Sequence, residues 1–477
     1  MGIETYKPLI HNEWVKTYKS EKVENPYTGK PIARVYFADG DFLDMAVESA
    51  LQGFKVARRL TGFQRYELLK KISEGIKARS EDFVKTIVAE SGKPIRFAKN
   101  EVLRAQFTFE WAAEEARRMG GEILPLDAQP QTAGYTGIVR RFPLGVILGI
   151  SPFNFPLNLV AHKIAPAIAS GNAIILKPAS ATPLTALLLG EVSKAAGLPP
   201  GILNILPTSG KNAETLVKDG RIKKLTFTGS AKVGWYLKSI AGKKKVTLEL
   251  GGNAAAIVEP DSDWPAAVSR LCLGSFAYAG QVCISVQRIY VQKSIFNSFL
   301  EKFLEEVAAN IPYGDPTNPL TVSGPMIDKA NAKRVESWIE EARKQGAKIL
   351  VGGERKKNLI QPTVLTATQP DMKVVCEEIF GPVVVIEPYD SFEEAIRLVN
   401  NSYYGLQAAV FTKDIEKIQE AYTRIEVGGL IVNDYPTFRI DHMPYGGVKD
   451  SGFGREGLKY AMEEMTEPKL LVLKGVQ

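Results

Sequence analysis

From residue 142 onward the chain alternates short apolar runs with helical patterns, and no other feature constrains its fold so tightly. Gly145-Val-Ile-Leu-Gly-Ile150 reads as a strand and enters the loop Ser151-Pro-Phe-Asn-Phe-Pro156. Ala173-Ile-Ile-Leu176 reads as a second strand, ending at Lys177-Pro178, and a helix follows over 183–196 until Gly197. Residues 201–206 and 225–228 read as a third and fourth strand, the last closing on Gly229-Ser230. Such runs, separated by helical stretches, build a parallel sheet covered by helices.

The flanking segments fit that α/β class. Residues 41–119 read as helical, with Leu43, Ala46, Val47, Ala50, Leu51 and Phe54 at helix spacing and a break at Pro94. A second βα region is expected over 251–447, with helices near 263–279, 294–309 and 328–345. Residues 136–140 and 469–473 read as isolated extended arms. Alone they cannot satisfy their backbone groups, so they are expected to pair with each other or with another subunit. No repeat or low-complexity linker interrupts the chain, so closely packed domains are expected.

Composition excludes several classes. The 477 residues are 45% hydrophobic and 24% charged, ordinary for a globular protein of two or three domains. No apolar run is long enough for a bilayer. The start Met-Gly-Ile-Glu-Thr-Tyr resembles neither a signal peptide nor a myristoylation site. Three cysteines give no disulfide framework, so a reduced, cytoplasmic protein without a membrane partner is expected. The net charge of +7 is scattered, with Lys243-Lys244-Lys245 the one run of three lysines. This argues for a solvated surface rather than a nucleic-acid site, although a mild positive field helps attract an anionic cofactor. The three histidines, His11, His162 and His442, lie in no nucleophile-base context, and no HExxH or CxxC pattern points to a metal.

The chemistry concentrates at a few positions. Cys272 and Cys376 lie in apolar surroundings and read as small buried hydrophobes. Cys283 follows Tyr278-Ala-Gly-Gln-Val, where Gly280 allows close backbone approach. Glu249, in Leu248-Glu-Leu-Gly-Gly252, lies 34 residues earlier. A thiolate that attacks a carbonyl and a carboxylate that activates water together suggest a covalent acyl intermediate. Lys177, Ser180, Gly229 and Ser230 fall at the carboxyl ends of strands, where ligands bind in such sheets. Gly229-Ser230 also opens a helix, whose N-terminal N–H groups suit a pyrophosphate. A cysteine hydrolase without a redox step would use the same thiol, but it would need neither the strand-end lysine nor the Gly-Ser helix start.

Seven motifs in order extend this reading: Pro152-Phe-Asn-Phe-Pro156, Leu176-Lys-Pro178, Phe227-Thr-Gly-Ser230, Leu248-Glu-Leu-Gly-Gly252, Gly280-Gln-Val-Cys283, Glu378-Ile-Phe-Gly-Pro382 and Pro444-Tyr-Gly-Gly-Val448. Over almost its whole length the chain resembles the aldehyde dehydrogenase superfamily. Arg439-Ile-Asp-His-Met-Pro-Tyr-Gly-Gly447 and Ser451-Gly-Phe-Gly-Arg-Glu-Gly457 resemble its lactaldehyde dehydrogenase-like branch. The resemblance implies a Rossmann-like cofactor domain over 1–121 and 142–250 and an α/β catalytic domain over 251–447. It also implies a β-strand oligomerisation arm over 122–141 and 462–477, in a homodimer or homotetramer.

The resemblance further implies Cys283 as nucleophile, Glu249 as base, and Asn154 with the Cys283 N–H as oxyanion donors. Glu378 and Phe380 would meet the nicotinamide ribose and ring. Lys177 would meet the adenosine ribose, Gly229 and Ser230 the pyrophosphate, and Ile150 and Pro152 would line the cofactor site. Ser180 stands where NAD-preferring relatives often carry a glutamate, which implies that NADP is preferred and NAD also used. Phe155, Leu159, His162, Val282, Ile284 and Tyr445 would surround the substrate, with Arg439 and His442 near the mouth. This compact pocket implies short aliphatic or hydroxyaldehydes such as lactaldehyde or glyceraldehyde. His162, Arg439 and His442 are read as donors for a hydroxyl or an acidic group, so an acidic semialdehyde is the alternative.

Overall fold

The computed structural model describes residues 3–475. The first two residues of the N-terminal reading, and the outer ends of the first and last modules, lie outside the described residues. Two large sheets organise the rest. The first runs in the order Gly452–Phe453, Lys245–Glu249, Ile222–Thr228, Val146–Ile150, Ala173–Lys177, Leu203–Ile205, Leu9–Ile10, Glu13–Trp14. Its five central strands are parallel. Val146–Ile150 and Ala173–Lys177 are buried along their whole length, because helices cover both faces. The helix Asn158–Ala169 is buried at every position and apolar on all sides except at Asn158, His162 and Lys163.

The second sheet orders Lys348–Val351, Thr363–Thr366, Val383–Tyr389, Arg288–Gln292, Ala255–Val258, Gln407–Phe411 and Gly429–Val432. Only the Lys348–Val351 edge is antiparallel. The two expected arms do pair: Thr466–Lys474 runs antiparallel to Tyr135–Pro143, and Gly121–Pro125 adds a third strand. Ile123, Leu471 and Val472 of this small sheet are exposed.

The helical stretch resolves into Asp41–Ala57, Gly62–Ala78, Ser80–Ser91 and Ile95–Arg118. Thr61 and Gln64 form a capping box at the second, and Pro94 is the N-cap of the fourth. The sequence reading needs correction in three places. Five short strands precede residue 38, where none was expected. Glu4–Tyr6, Glu13–Trp14 and Lys19–Glu24 are mostly polar, Leu9–Ile10 is two residues long, and Pro31–Phe37 buries only alternate positions between its two neighbours, so none carries a long buried apolar run. The strand expected over 201–206 shrinks to Leu203–Ile205, because Gly201 takes a left-handed φ of 83°. Cys376 ends the short helix Lys373–Cys376 and is only half-buried, so it does not share the fully buried environment of Cys272. Among the described residues no helix is long and apolar enough to cross a membrane.

Candidate active site

Cys283 sits on a loop made rigid by its neighbours. Tyr278, Ala279 and Gly280 all take left-handed φ angles of 54°, 54° and 64°. A Cβ at Gly280 would lie 2.1 Å from the Gly381 carbonyl oxygen, so only glycine fits that turn. Two non-glycine residues in this region carry strain of about 1–3 kcal/mol each, held by the surroundings. The Tyr278 hydroxyl donates to the Ser91 carbonyl at 3.2 Å. Gln281 donates to the Pro325 carbonyl and accepts from the Ile327 N–H at 2.9 Å.

Asn154 reaches this loop from the other sheet. It follows the strand Val146–Ile150, is buried, and donates through Nδ2 to the Gln281 carbonyl at 2.9 Å, two residues before Cys283. One N–H of that amide stays available, and its Oδ1 has no protein partner. The same segment is held by Glu101, which accepts from the Leu157 and Asn158 N–H groups and pairs with Lys93. The Lys93 ammonium lies 3.7 Å from the centroid of the Phe155 ring and 4.7 Å from that of Tyr278. One buried cation thus touches the Asn154 segment and the Cys283 segment together.

Glu249 ends the strand Lys245–Glu249 and is buried, with both carboxylate oxygens lacking a hydrogen-bond partner. Burial, reinforced by Glu456, raises its carboxyl well above the usual range. A buried carboxylate without donors is costly unless something mobile, such as water, is to meet it. Glu456 itself bridges Lys163 at 3.3 Å and Arg439 at 3.3 Å.

A cavity of about 1020 Å³ opens onto Cys283. Ile150, Pro152, Asn154, Leu159, Lys177, Ser180, Gly229, Ser230, Glu378 and Phe380 all line it. Lys177 is buried with only the Pro178 carbonyl at 3.2 Å for a partner, and burial pulls its ammonium down to about 8. The helix Ala231–Ile240 presents its N-terminus there with no side-chain cap from Ser230. Glu378 accepts from the Gly252 N–H at 3.0 Å. A buried cation paired with no carboxylate among the described residues, an uncapped helix start and an anchored carboxylate along one long cavity fit a nicotinamide dinucleotide.

The expected substrate residues divide. Val282, Cys283, Ile284 and Tyr445 form one small apolar cluster with Leu406 and Met443. The Tyr445 hydroxyl lies 3.1 Å from Cys283 Sγ. The Arg439 guanidinium lies 3.7 Å from the Tyr445 ring centroid, with Nε unpartnered. His442 stacks on Trp111 at 4.5 Å. His162 does not fit the donor role expected of it. Its Nε2 lies 2.8 Å from Asp441 Oδ1. Burial alone would raise the Asp441 carboxyl, but the His162 hydrogen bond and the Arg104 guanidinium hold it well below the usual range. Burial, with Arg439 nearby, keeps His162 neutral. Its single N–H is therefore spent on Asp441, leaving Nδ1 as a bare acceptor.

Sequence reasoning missed Lys163, Glu456, Asp441 and Arg104. Lys163 carried a signal, as a lysine in an otherwise apolar run. Glu456 and Asp441 both stood inside motifs without a role, and Arg104 gave no sign before its 337-residue separation from Asp441 closed.

The family model described as "Aldehyde dehydrogenase family" matches residues 14–471. A 3-sulfolactaldehyde dehydrogenase of Priestia aryabhattai is 45% identical, over 99% of this chain and 98% of its own. The crystal structure of aldehyde dehydrogenase 21 of Physcomitrella patens, in complex with the reaction product succinate, superposes with a TM-score of 0.97. It is 44% identical and covers 100% of this chain and 99% of that one. Glyceraldehyde-3-phosphate dehydrogenase of Methanocaldococcus jannaschii, complexed with NADP, gives 0.92 at 39% identity, covering 96% and 100%.

Proposed function

The chain belongs to the aldehyde dehydrogenase family and is an NAD(P)-dependent aldehyde dehydrogenase, and on that premise we propose that it oxidises short hydroxyaldehydes to carboxylic acids through a covalent intermediate on Cys283. The observation that carries this reading is the convergence on one cavity of the Cys283 thiol and the Asn154 amide, with the partnerless carboxylate of Glu249 buried at the C-terminal end of the strand Lys245–Glu249.

In the mechanism, the Cys283 thiolate attacks the aldehyde carbon. The oxygen that becomes negative is taken by the Asn154 amide and the Cys283 N–H, donors already fixed before reaction; losing one costs about 10²–10³ in rate. When bound, the nicotinamide supplies the acceptor for the hydride. Lys177, Ser180, Gly229 and Ser230 would hold the adenosine and pyrophosphate parts, and Glu378 and Phe380 the nicotinamide half, beside Ile150 and Pro152. Glu249 then removes a proton from water, which hydrolyses the Cys283 thioester. The presence of this base supports hydrolysis over transfer to coenzyme A, and Lys177 with the Gly229-Ser230 helix start on the same cavity supports a redox step over a non-redox esterase.

NADP is the preferred cofactor in this reading, with NAD also used. The lining carries Lys177, Lys211, Lys232 and Arg334 against Glu214 and Glu378, and Ser180 offers a hydroxyl where a carboxylate would repel a 2′-phosphate. Residues 1–121 and 142–250 form the cofactor domain, 251–447 the catalytic domain, and 122–141 with 462–477 an oligomerisation module. The exposed Ile123, Leu471 and Val472 support a homodimer or homotetramer built on that module. We assign the protein to the cytoplasm on its cysteine usage.

A second reading is an acid-tailed aldehyde. Arg439, buried beside Tyr445 with an unpartnered Nε, supports it. The relatives point the same way, one named for a sulfonated aldehyde and one holding succinate. Comparing kcat/KM for lactaldehyde, propionaldehyde and succinic semialdehyde with NADP and NAD separates the readings. Lactaldehyde is expected to exceed propionaldehyde by about tenfold or more, since a site that bonds a hydroxyl rejects analogues lacking it. Bulky aromatic aldehydes outrunning all three would overturn the compact pocket, and activity confined to NAD would overturn the cofactor preference.

A further inference from the structure

Among the described residues, Tyr445 is the one side chain hydrogen-bonded to the Cys283 sulfur. Burial pushes the Cys283 thiol up to about 11, and a neutral thiol is a poor nucleophile. Four charged or titratable groups face it. Glu378 and Glu249 oppose its ionisation, while Tyr445 and Arg439 favour it. Tyr445 is 4% exposed, and burial, with the sulfur beside it, holds its phenol protonated well above the usual range. Facing a thiolate, it therefore donates. Arg439 and Glu249 are the charged groups on its other sides. The Arg439 side chain is 7% exposed and anchored by Glu456. Its guanidinium lies over the Tyr445 ring, where a cation draws electron density from the face and strengthens the hydroxyl as a donor.

We propose that Tyr445 is a catalytic residue: its hydroxyl, polarised by the Arg439 guanidinium stacked on its ring, hydrogen-bonds the Cys283 thiolate and sustains it as the nucleophile. The thiol proton leaves to solvent through the cavity that Cys283 lines, and the phenol keeps its own. No covalent bond forms or breaks at Tyr445. When the sulfur electron pair enters the new C–S bond, the hydrogen bond weakens and the hydroxyl is released. This inference rests on Cys283 being the nucleophile.

The test is the pH dependence of Cys283 alkylation by iodoacetamide in the cofactor-free enzyme, mapped by peptide mass spectrometry to separate it from Cys376. Tyr445→Phe keeps the ring and loses the donor. A hydrogen bond to a charged group contributes about 1.5–3 kcal/mol, so the inflection should move up by about one to two units. Alkylation at pH 7 should slow by about ten- to a hundredfold, and kcat/KM should fall with it. Arg439→Lys, which keeps the charge but loses the planar stack, should move the inflection in the same direction by less. An unchanged profile in a folded, cofactor-binding Tyr445→Phe enzyme removes this inference alone. A Cys283→Ala enzyme that still turns over removes the nucleophile reading and this inference with it.

Discussion

Lys177 is buried where little water reaches its ammonium, and in the cofactor-binding role proposed for it that depth makes affinity sensitive to pH. Its ammonium is pulled down to about 8 by burial and meets one carbonyl. An anionic cofactor favours the charged form. Affinity is therefore full below about pH 8 and weakens as pH rises through that value. A charge-assisted hydrogen bond of about 1.5–3 kcal/mol corresponds to roughly ten- to a hundredfold in Kd. Calorimetric titration of NADP at pH 7 and pH 9 should show about tenfold of that loss, because the charged fraction of a group near 8 falls about tenfold between them, and Lys177→Met should bind weakly with no such step. A Lys177→Met enzyme with the wild-type pH dependence would contradict this role. Single residues of this kind were the most legible part of the sequence. Lys177, Ser180, Gly229 and Ser230 follow strand ends, and a strand end in a parallel sheet is already a site. His162 was misread because its partner lies 279 positions away, and sequence does not announce which acid will consume a histidine's N–H.

At the scale of elements, the buried Lys93–Glu101 pair couples three of them. Glu101 projects from Ile95–Arg118 and caps the start of the segment bearing Asn158, while Lys93 packs on Phe155 and Tyr278. Removing one member of a buried pair leaves an uncompensated charge, at a cost of about 3–5 kcal/mol. Lys93→Met should therefore lower stability in urea by that amount, and adding Glu101→Gln should recover part of it, because the stranded charge is gone. A loss below about 1 kcal/mol in the single variant would mean that the pair holds nothing. The elements themselves were uneven to read. Val146–Ile150 and Ala173–Lys177 are buried on both faces, so their apolar runs are continuous and short. Lys19–Glu24 buries one residue in six, and its pairing depends on Pro31–Phe37 rather than on its own composition. Strands of that kind leave no periodic trace.

At the scale of the whole molecule, the account depends on two sheets meeting. Cys283 precedes a strand of the second sheet, while Asn154 and Glu249 close two strands of the first. Gly452–Phe453 returns after the second sheet to pair with Leu248 and Glu249, tying this late stretch of the chain to the strand that bears the proposed base. The motif order made this architecture legible, but the return strand fell in a stretch that the sequence reading assigned to no domain. Because the proposed nucleophile and base come from different sheets, they can fail separately, and a single measurement separates them. Glu249→Gln enzyme is mixed with NADP and lactaldehyde, quenched in acid, and the peptide bearing Cys283 is weighed. The account predicts one acyl adduct on Cys283 that forms at near the wild-type rate and persists, whereas wild-type enzyme loses it within a turnover and Cys283→Ala never acquires it. An adduct that Glu249→Gln clears as fast as wild type, or turnover by Cys283→Ala, would contradict it.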